Sequence, residues 1–91
     1  MFLLIITYAC VMTMAKAVGE TILELRQINH VSQEKLADAI DSHQVYISEI
    51  EKAKKIPSIT ILYNIAGYFN ISLTEFVRKV ESRLTGSSEG I

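Results

Sequence analysis

One stretch of the chain, from about Gln44 to Lys52, combines hydrogen-bonding side chains with a helical pattern. At about 100° per residue, Ile47 and Ile50, with Tyr46 beside them, fall on one side and are predicted to pack inward. The opposite side carries a polar set with one methyl-bearing member: Gln44, Val45, Ser48, Glu49 and Lys52. Such short side chains suit the floor of a nucleic-acid groove.

The chemistry of these side chains matches the edges of DNA bases. Gln44 could bond N6 and N7 of adenine together, and Val45 could pack on a thymine methyl group. Glu49 could accept a hydrogen bond from a cytosine amino group, and Ser48 could bond a base edge or a phosphate. Any solvated helix face has a similar composition, so this pattern alone leaves open whether the face contacts DNA or only water.

Other residue types argue against catalysis and against metal binding. His30 and His43 each stand alone in a predicted turn, without Cys, Asp or Glu at the spacing of a metal site. His43, near the start of the third helix, could instead contact a phosphate. Cys10 has no basic neighbour that would activate it, and glycine-rich phosphate loops and catalytic triads are absent from the sequence. We expect no metal, no cofactor and no enzymatic activity.

Length and composition indicate one small domain. The chain has 91 residues, of which 49% are apolar, so a modest core can form without disulfides or metal. Because Cys10 is the only cysteine, we expect a reducing, cytoplasmic location. The net charge of −1 counts against a nucleic-acid binder, since such domains tend to be basic. Lys52, Lys54 and Lys55 nevertheless form a local basic cluster.

The elements that would position these residues are helices, because apolar residues recur at spacings of three and four. We predict an all-α fold of five helices. The first spans about 18–29 and the third about 44–52, while Ser32, Ser58 and Ser72 cap the second, fourth and fifth. The predicted inward residues of the first four helices are Val18, Ile22, Leu25, Ile28 or Asn29, Leu36, Ala37, Ile40, Ile47, Ile50, Ile59, Leu62, Ile65, Ala66 and Phe69. The fifth helix carries the apolar residues Leu73, Phe76, Val77 and Val80.

The two ends differ from the predicted domain, which covers residues 16–84. Residues 1–15 are uncharged but shorter than the roughly 20 apolar residues of a membrane span, so we expect no membrane partner. Three interpretations stay open: a secretion signal, although its basic start is absent; a translated leader before a start at Met14; or an extra packing element. Residues 85–91 are rich in Gly and Ser and are predicted to form a flexible tail.

Several paired residues together resemble the Cro/repressor helix-turn-helix family of bacterial and phage regulators. They are Ser32-Gln33, Leu36-Ala37, Ile47-Ser48, Ile50-Glu51 and Pro57-Ser58. The resemblance runs from Ile22 to about Val77 and implies a compact, five-helix, repressor-like DNA-binding domain. Within the family, the stretch 41–48 is most similar to controller proteins of restriction–modification systems.

The resemblance implies a role for each matched residue. Base contacts are expected from Gln44, Val45, Tyr46, Ser48 and Glu49. Contacts to the DNA backbone are expected from Gln33, Lys52, Lys54 and Lys55, in addition to His43, and Gln33 would also brace Gln44. Arg26 and Glu51 fall where members of the family pair the first helix with the third, and we interpret them as a structural pair.

Four turns depart from the family pattern, which usually has glycine there. They carry His30, Asp41, Ala53 and Asn70. His, Asp and Asn tolerate a left-handed backbone better than other residues do. Ala53 is the exception, so we expect the third helix to end differently or to run longer.

The resemblance and the apolar fifth helix together predict a regulator that binds DNA as a homodimer. One recognition helix contacts only a few base pairs, so a dimer on a pseudo-palindromic operator is expected. The predicted interface residues are Phe76, Val77, Val80 and Tyr68. Two alternatives stay open: an antitoxin that binds a toxin on the same scaffold, and a protein-interaction module that has lost DNA binding.

Overall fold

The computed structural model of the protein describes residues 13–84, and every regular element in that range is an α-helix. The helices are α1 (Met14–Asn29), α2 (Gln33–Ala39), α3 (Gln44–Glu51), α4 (Ile59–Tyr68) and α5 (Leu73–Leu84). The predicted all-α fold of five helices is therefore confirmed. Most of the predicted apolar segment 1–15 and all of the predicted tail 85–91 lie outside the described residues.

The first helix begins at Met14, earlier than the predicted start at Val18. The hydroxyl of Thr13 accepts a hydrogen bond from the backbone amide of Lys16 at 3.2 Å. Because a capping side chain satisfies an amide that has no partner within the helix, α1 extends back to this cap. The helix thus starts inside the predicted apolar segment 1–15.

Serine side chains cap three of the later helices, as the sequence predicted. The hydroxyls of Ser32, Ser58 and Ser72 accept hydrogen bonds from first-turn amides of α2, α4 and α5 at 3.0, 3.2 and 3.0 Å. The third helix differs, because its N-cap residue, His43, makes no capping hydrogen bond with its side chain. The N-terminus of α3 is therefore the one without a side-chain cap in the described region.

The ends of α1 to α4 share one geometry. Each is followed by a non-glycine residue with φ between 57° and 64°: His30, Asp41, Ala53 and Asn70. After α3, the Lys54 amide donates to the carbonyl of Glu49 at 2.8 Å, and the Ala53 amide donates to the carbonyl of Ile50 at 3.0 Å. This is a Schellman motif, so the expectation that α3 ends differently or runs longer is wrong.

The apolar core lies where the five helices meet. Its buried members are Ala17, Val18, Ile22, Leu25, Leu36, Ala37, Ile40, Ile47, Ile50, Ile65, Ala66, Phe76 and Val80. Ile28 and Ile59, predicted to face inward, are each 64% exposed, and Asn29 is also exposed. These predictions are wrong because the last turn of α1 and the first turn of α4 leave these side chains at the surface, uncovered by the other helices.

Two contacts that the sequence analysis did not predict attach other helices to α1. At Gly19, a Cβ atom would lie 2.4 Å from the carbonyl oxygen of Ile50, so the absence of a side chain lets α1 approach the end of α3. At the far end of α5, Arg83 donates from Nε to the hydroxyl of buried Thr21 at 3.0 Å and forms an ion pair with Glu24. Across residues 13–84, no helix has the length and hydropathy of a membrane span.

Candidate nucleic-acid interface

An ion pair between the first and third helices forms the base of the candidate interface. Arg26 donates from Nε to Glu51 Oε2 at 2.6 Å and from Nη2 to Glu51 Oε1 at 2.9 Å. The two side chains are only 12% and 7% exposed. A third donor, Arg26 Nη1, binds the carbonyl of Val31 at 2.9 Å, so the guanidinium also anchors the turn between α1 and α2.

Two glutamines extend this pair toward the surface. Gln33 Nε2 donates to Glu51 Oε1 at 2.8 Å, and Gln44 Nε2 donates to Gln33 Oε1 at 3.1 Å. A carboxylate can only accept hydrogen bonds, so Glu51 fixes which end of the Gln33 amide faces inward. The Gln33 oxygen must then face Gln44, which determines in turn the orientation of the exposed Gln44 amide.

The other predicted base-contacting residues of α3 differ in their exposure. Val45 is 66% exposed, whereas Ser48, Glu49 and Tyr46 are half-buried. The Tyr46 side chain packs against the core, and its position is therefore held by the fold. The exposed side of α3 therefore presents one methyl-bearing residue, Val45, beside the half-buried polar residues Ser48 and Glu49.

The predicted lysine cluster divides into two parts. All three lysines are exposed, but within the described part of the chain only Lys55 has a charged partner. Lys55 lies with its Nζ atom 3.4 Å from Glu49 Oε1 and 6.0 Å from the centre of the Tyr46 ring. The ammonium group therefore lies beside the Glu49 carboxylate and offsets its negative charge. The helical pattern did not indicate this pairing, because the left-handed turn at Ala53 brings Lys55 back toward α3.

His43 occupies the start of α3, where the helix has no side-chain cap. Its side chain is exposed. Uncapped amides at a helix N-terminus carry partial positive charge and bind phosphate oxygens well. His43, which we predict to contact the DNA backbone, therefore lies next to such amides.

Two of the four residues predicted for the dimer interface are buried within the protomer. Phe76 is 0% exposed and Val80 is 5% exposed, so both belong to the core and offer almost no surface of their own. Val77 is 43% exposed and Tyr68 is 36% exposed. A dimer contact through Val77 and Tyr68 remains a prediction.

Comparison with known proteins identifies the family. The helix-turn-helix family matches residues 22–76, which is more than half of the chain and includes α2, the turn and α3. The chain belongs to this helix-turn-helix family. Its members are DNA-binding transcriptional regulators and not enzymes, and the resemblance found in the sequence is confirmed. Between residues 13 and 84, no cluster of His, Cys, Asp or Glu is suited to hold a metal.

Two curated proteins illustrate the similarity of this helix-turn-helix protein to its relatives. Control protein C.SmaI of Serratia marcescens is 27% identical over 70 residues, covering 77% of this chain and 83% of that protein. The uncharacterized HTH-type transcriptional regulator y4dJ of Sinorhizobium fredii is 28% identical over 76 residues, covering 84% of this chain and 99% of that protein.

Solved structures of the clp gene regulator ClgR from Corynebacterium glutamicum share the fold of this helix-turn-helix protein. One superposes with a TM-score of 0.78 at 19% identity, covering 87% of this chain and 84% of that chain. A second gives a TM-score of 0.75 at 21% identity, covering 84% and 97%. At such low identity, the likeness concerns the fold alone.

Proposed function

We propose that this helix-turn-helix protein is a transcriptional regulator that binds a pseudo-palindromic operator as a homodimer in the cytoplasm. The third helix enters the major groove and contacts base edges, while the start of α2 lies against the DNA backbone. The observation that carries the proposal is the hydrogen-bonded series from half-buried Arg26 through Glu51 and Gln33 to exposed Gln44.

This series suits Gln44 for binding adenine. One amide hydrogen of Gln44 is used by Gln33, and the other can donate to adenine N7. The Gln44 oxygen can then accept from the adenine N6 amino group, completing a bidentate pair. Because Gln33 holds the amide in one orientation before DNA arrives, less side-chain entropy is lost on binding.

The remaining exposed groups divide into base contacts and backbone contacts. Val45 packs on a thymine methyl group, and Ser48 and Glu49 bond other base edges. Lys52 and Lys54 contact phosphates, as do Gln33 and the uncapped start of α3 at His43. Lys55 lies beside Glu49 and offsets the repulsion between that carboxylate and the phosphates.

The proposal is tested by selecting bound duplexes from random DNA with the wild-type protein and with Gln44→Ala. We expect a palindromic motif whose half-sites lie about one helical turn, roughly 34 Å, apart. In the variant, the preference at one adenine of each half-site should weaken by about 1–3 kcal/mol. Gln27→Ala, at an exposed position on α1, is the matched control and should leave the motif unchanged.

The same experiment separates the alternatives. Failure to enrich any sequence at low salt would reject DNA recognition and favour a protein-interaction module. A motif without two-fold symmetry would contradict the proposed homodimer but would still support a sequence-specific regulator. An antitoxin would also enrich a motif, so a stable complex with a co-purified toxin would be needed to support that function instead.

A further inference from the structure

An apolar groove lies beside α5, at the end of the molecule where α1 begins. It has a volume of about 300 Å³ and one charged lining residue, Glu81; its apolar lining residues are Met14, Val18, Leu62, Phe76, Val77, Val80 and Leu84. Met14 is 50% exposed and Val77 is 43% exposed. Contiguous apolar surface of this kind is typical of a docking site for another apolar element.

The chain itself contains a segment of matching chemistry next to this groove. Residues 1–12 have no charged side chain, and only Thr7 and Tyr8 carry a hydroxyl group. The segment joins the described structure at Thr13, directly before the groove residue Met14. We propose that residues 1–12 dock in the groove of their own chain.

The length of the segment is sufficient for this docking. Twelve residues span about 40 Å when extended and about 18 Å as a helix. The fifth helix has 12 residues and is therefore also about 18 Å long. The segment can reach along the whole groove from its attachment at Thr13 in either conformation.

The attachment favours the chain's own segment over a second copy of the protein. A short tether gives a local concentration on the order of millimolar, whereas a second protomer binds only at its concentration in solution. Burial of the uncharged side chains of residues 1–12 removes apolar surface from water and buries no unpaired charge of the segment. The groove residues belong to α1, α4 and α5, so this docking does not depend on DNA binding by α3. Because the docked segment covers Val77, the predicted homodimer contact would then rest on Tyr68.

Cys10 provides a probe of docking in the full chain, because it is the only cysteine. The rate of its alkylation is measured in the protein and in a free peptide of residues 1–12. We expect the protein to react about tenfold more slowly, as it would if the segment were undocked roughly one-tenth of the time. This protection should not change when the protein is diluted, since the contact is intramolecular.

Two charged variants test where the segment docks. Val77→Lys places a charge in the groove at an exposed position and should restore the rate of Cys10 alkylation to that of the free peptide. Val45→Lys, at a position that is 66% exposed on α3, is the matched control and should keep the protection. A substitution in the segment itself, Leu3→Glu, should also restore the rate without changing any residue of the described fold.

Three results would overturn the proposal. Alkylation of Cys10 as fast as in the free peptide would show that the segment is not docked. Protection lost on dilution would assign the groove to a second copy. Protection that persists in both Val77→Lys and Leu3→Glu would place the segment elsewhere.

Discussion

Ala53 adopts a backbone conformation that its side chain disfavours. With φ at 64°, its Cβ atom crowds the following carbonyl oxygen, which costs roughly 1–2 kcal/mol for an L-residue other than glycine. His30, Asp41 and Asn70 share the conformation, but Asn and Asp are better tolerated there. The Schellman hydrogen bonds after α3 and the packing of Ile50 in the core hold Ala53 in place.

We predict that Ala53→Gly raises the free energy of unfolding by about 1 kcal/mol, because glycine relieves this strain. Urea denaturation measures the change. Ala39→Gly, at the exposed last residue of α2, is the matched control and should lower the free energy by up to about 0.5 kcal/mol, because glycine is the poorer helix former. Equal destabilisation by both substitutions would show that Ala53 is not strained.

The pair formed by Arg26 and Glu51 is largely buried and is therefore sensitive to removal of one partner. We predict that Arg26→Met lowers the free energy of unfolding by about 3 kcal/mol, because the Glu51 carboxylate is left without its counter-ion. Lys55→Met breaks the exposed pair with Glu49 and should cost about 0.5 kcal/mol or less. Urea denaturation of the two variants would measure both changes in the free energy of unfolding.

A double variant separates the charge effect from a loss of packing. Arg26→Met combined with Glu51→Met leaves no unpaired charge, so it should be more stable than Arg26→Met alone. If the double variant were less stable than the single one, the buried carboxylate would not be the cause of the loss.

At the level of the helices, α1 positions α3 through backbone contact. Because Gly19 has no Cβ atom, the carbonyl of Ile50 can approach it closely, whereas an added Cβ would lie 2.4 Å from that oxygen. The same turn of α3 holds Glu51, which pairs with Arg26 further along α1. The spacing between α1 and α3 therefore determines the position of the end of α3 and of the lysines that follow it.

We predict that Gly19→Ala lowers the free energy of unfolding by about 1–3 kcal/mol, the usual cost of overpacking. Gly67→Ala is the matched control, since a Cβ there meets no atom within 4 Å. It should raise the free energy by up to about 1 kcal/mol, because alanine is the better helix former. Thermal or urea unfolding measures both, and stabilisation by Gly19→Ala would contradict the close approach.

For the whole molecule, the net charge of −1 offers little general attraction to DNA. The proposed affinity must therefore come from where the charges lie, with exposed Lys52 and Lys54 beside α3. Contacts between such lysines and phosphates release counterions, so the logarithm of the binding constant falls linearly with the logarithm of salt concentration. The slope measures how many phosphates are neutralised.

We predict that Lys54→Ala weakens operator binding and reduces the magnitude of this slope by about 0.9, without changing which bases are preferred. Arg78→Ala is the matched control, because exposed Arg78 lies on α5, which packs mainly on α1 and α4. Its slope should equal that of the wild-type protein. Fluorescence anisotropy over a series of salt concentrations measures both slopes. An unchanged slope for Lys54→Ala would show that Lys54 does not contact the DNA backbone.

Local patterns were enough to predict the helices of the described region. A serine cap such as Ser32 bonds an amide three residues along the chain, and an apolar stripe repeats every three or four residues. Both depend only on near neighbours in sequence. The terminal turns were predicted less well, because exposure of Ile28 and Ile59 depends on where other helices stop.

The candidate site was predictable only in part, because its contacts also depend on how separate helices pack together. Family resemblance suggested roles for Arg26, Gln33 and Gln44, but their contacts join residues separated by 11 to 25 positions. The direction of each hydrogen bond follows from the acceptor-only carboxylate of Glu51 once folding has brought these side chains together.

The order of residues thus specified the two helices of the helix-turn-helix and which side of α3 is polar, since these features depend on residues that are near neighbours in sequence. Packing specified how those side chains are held: Gly19 brings α1 close to α3, and Arg26 and Gln33 both bind Glu51. These contacts join distant positions through space, and no local pattern of residues contains them.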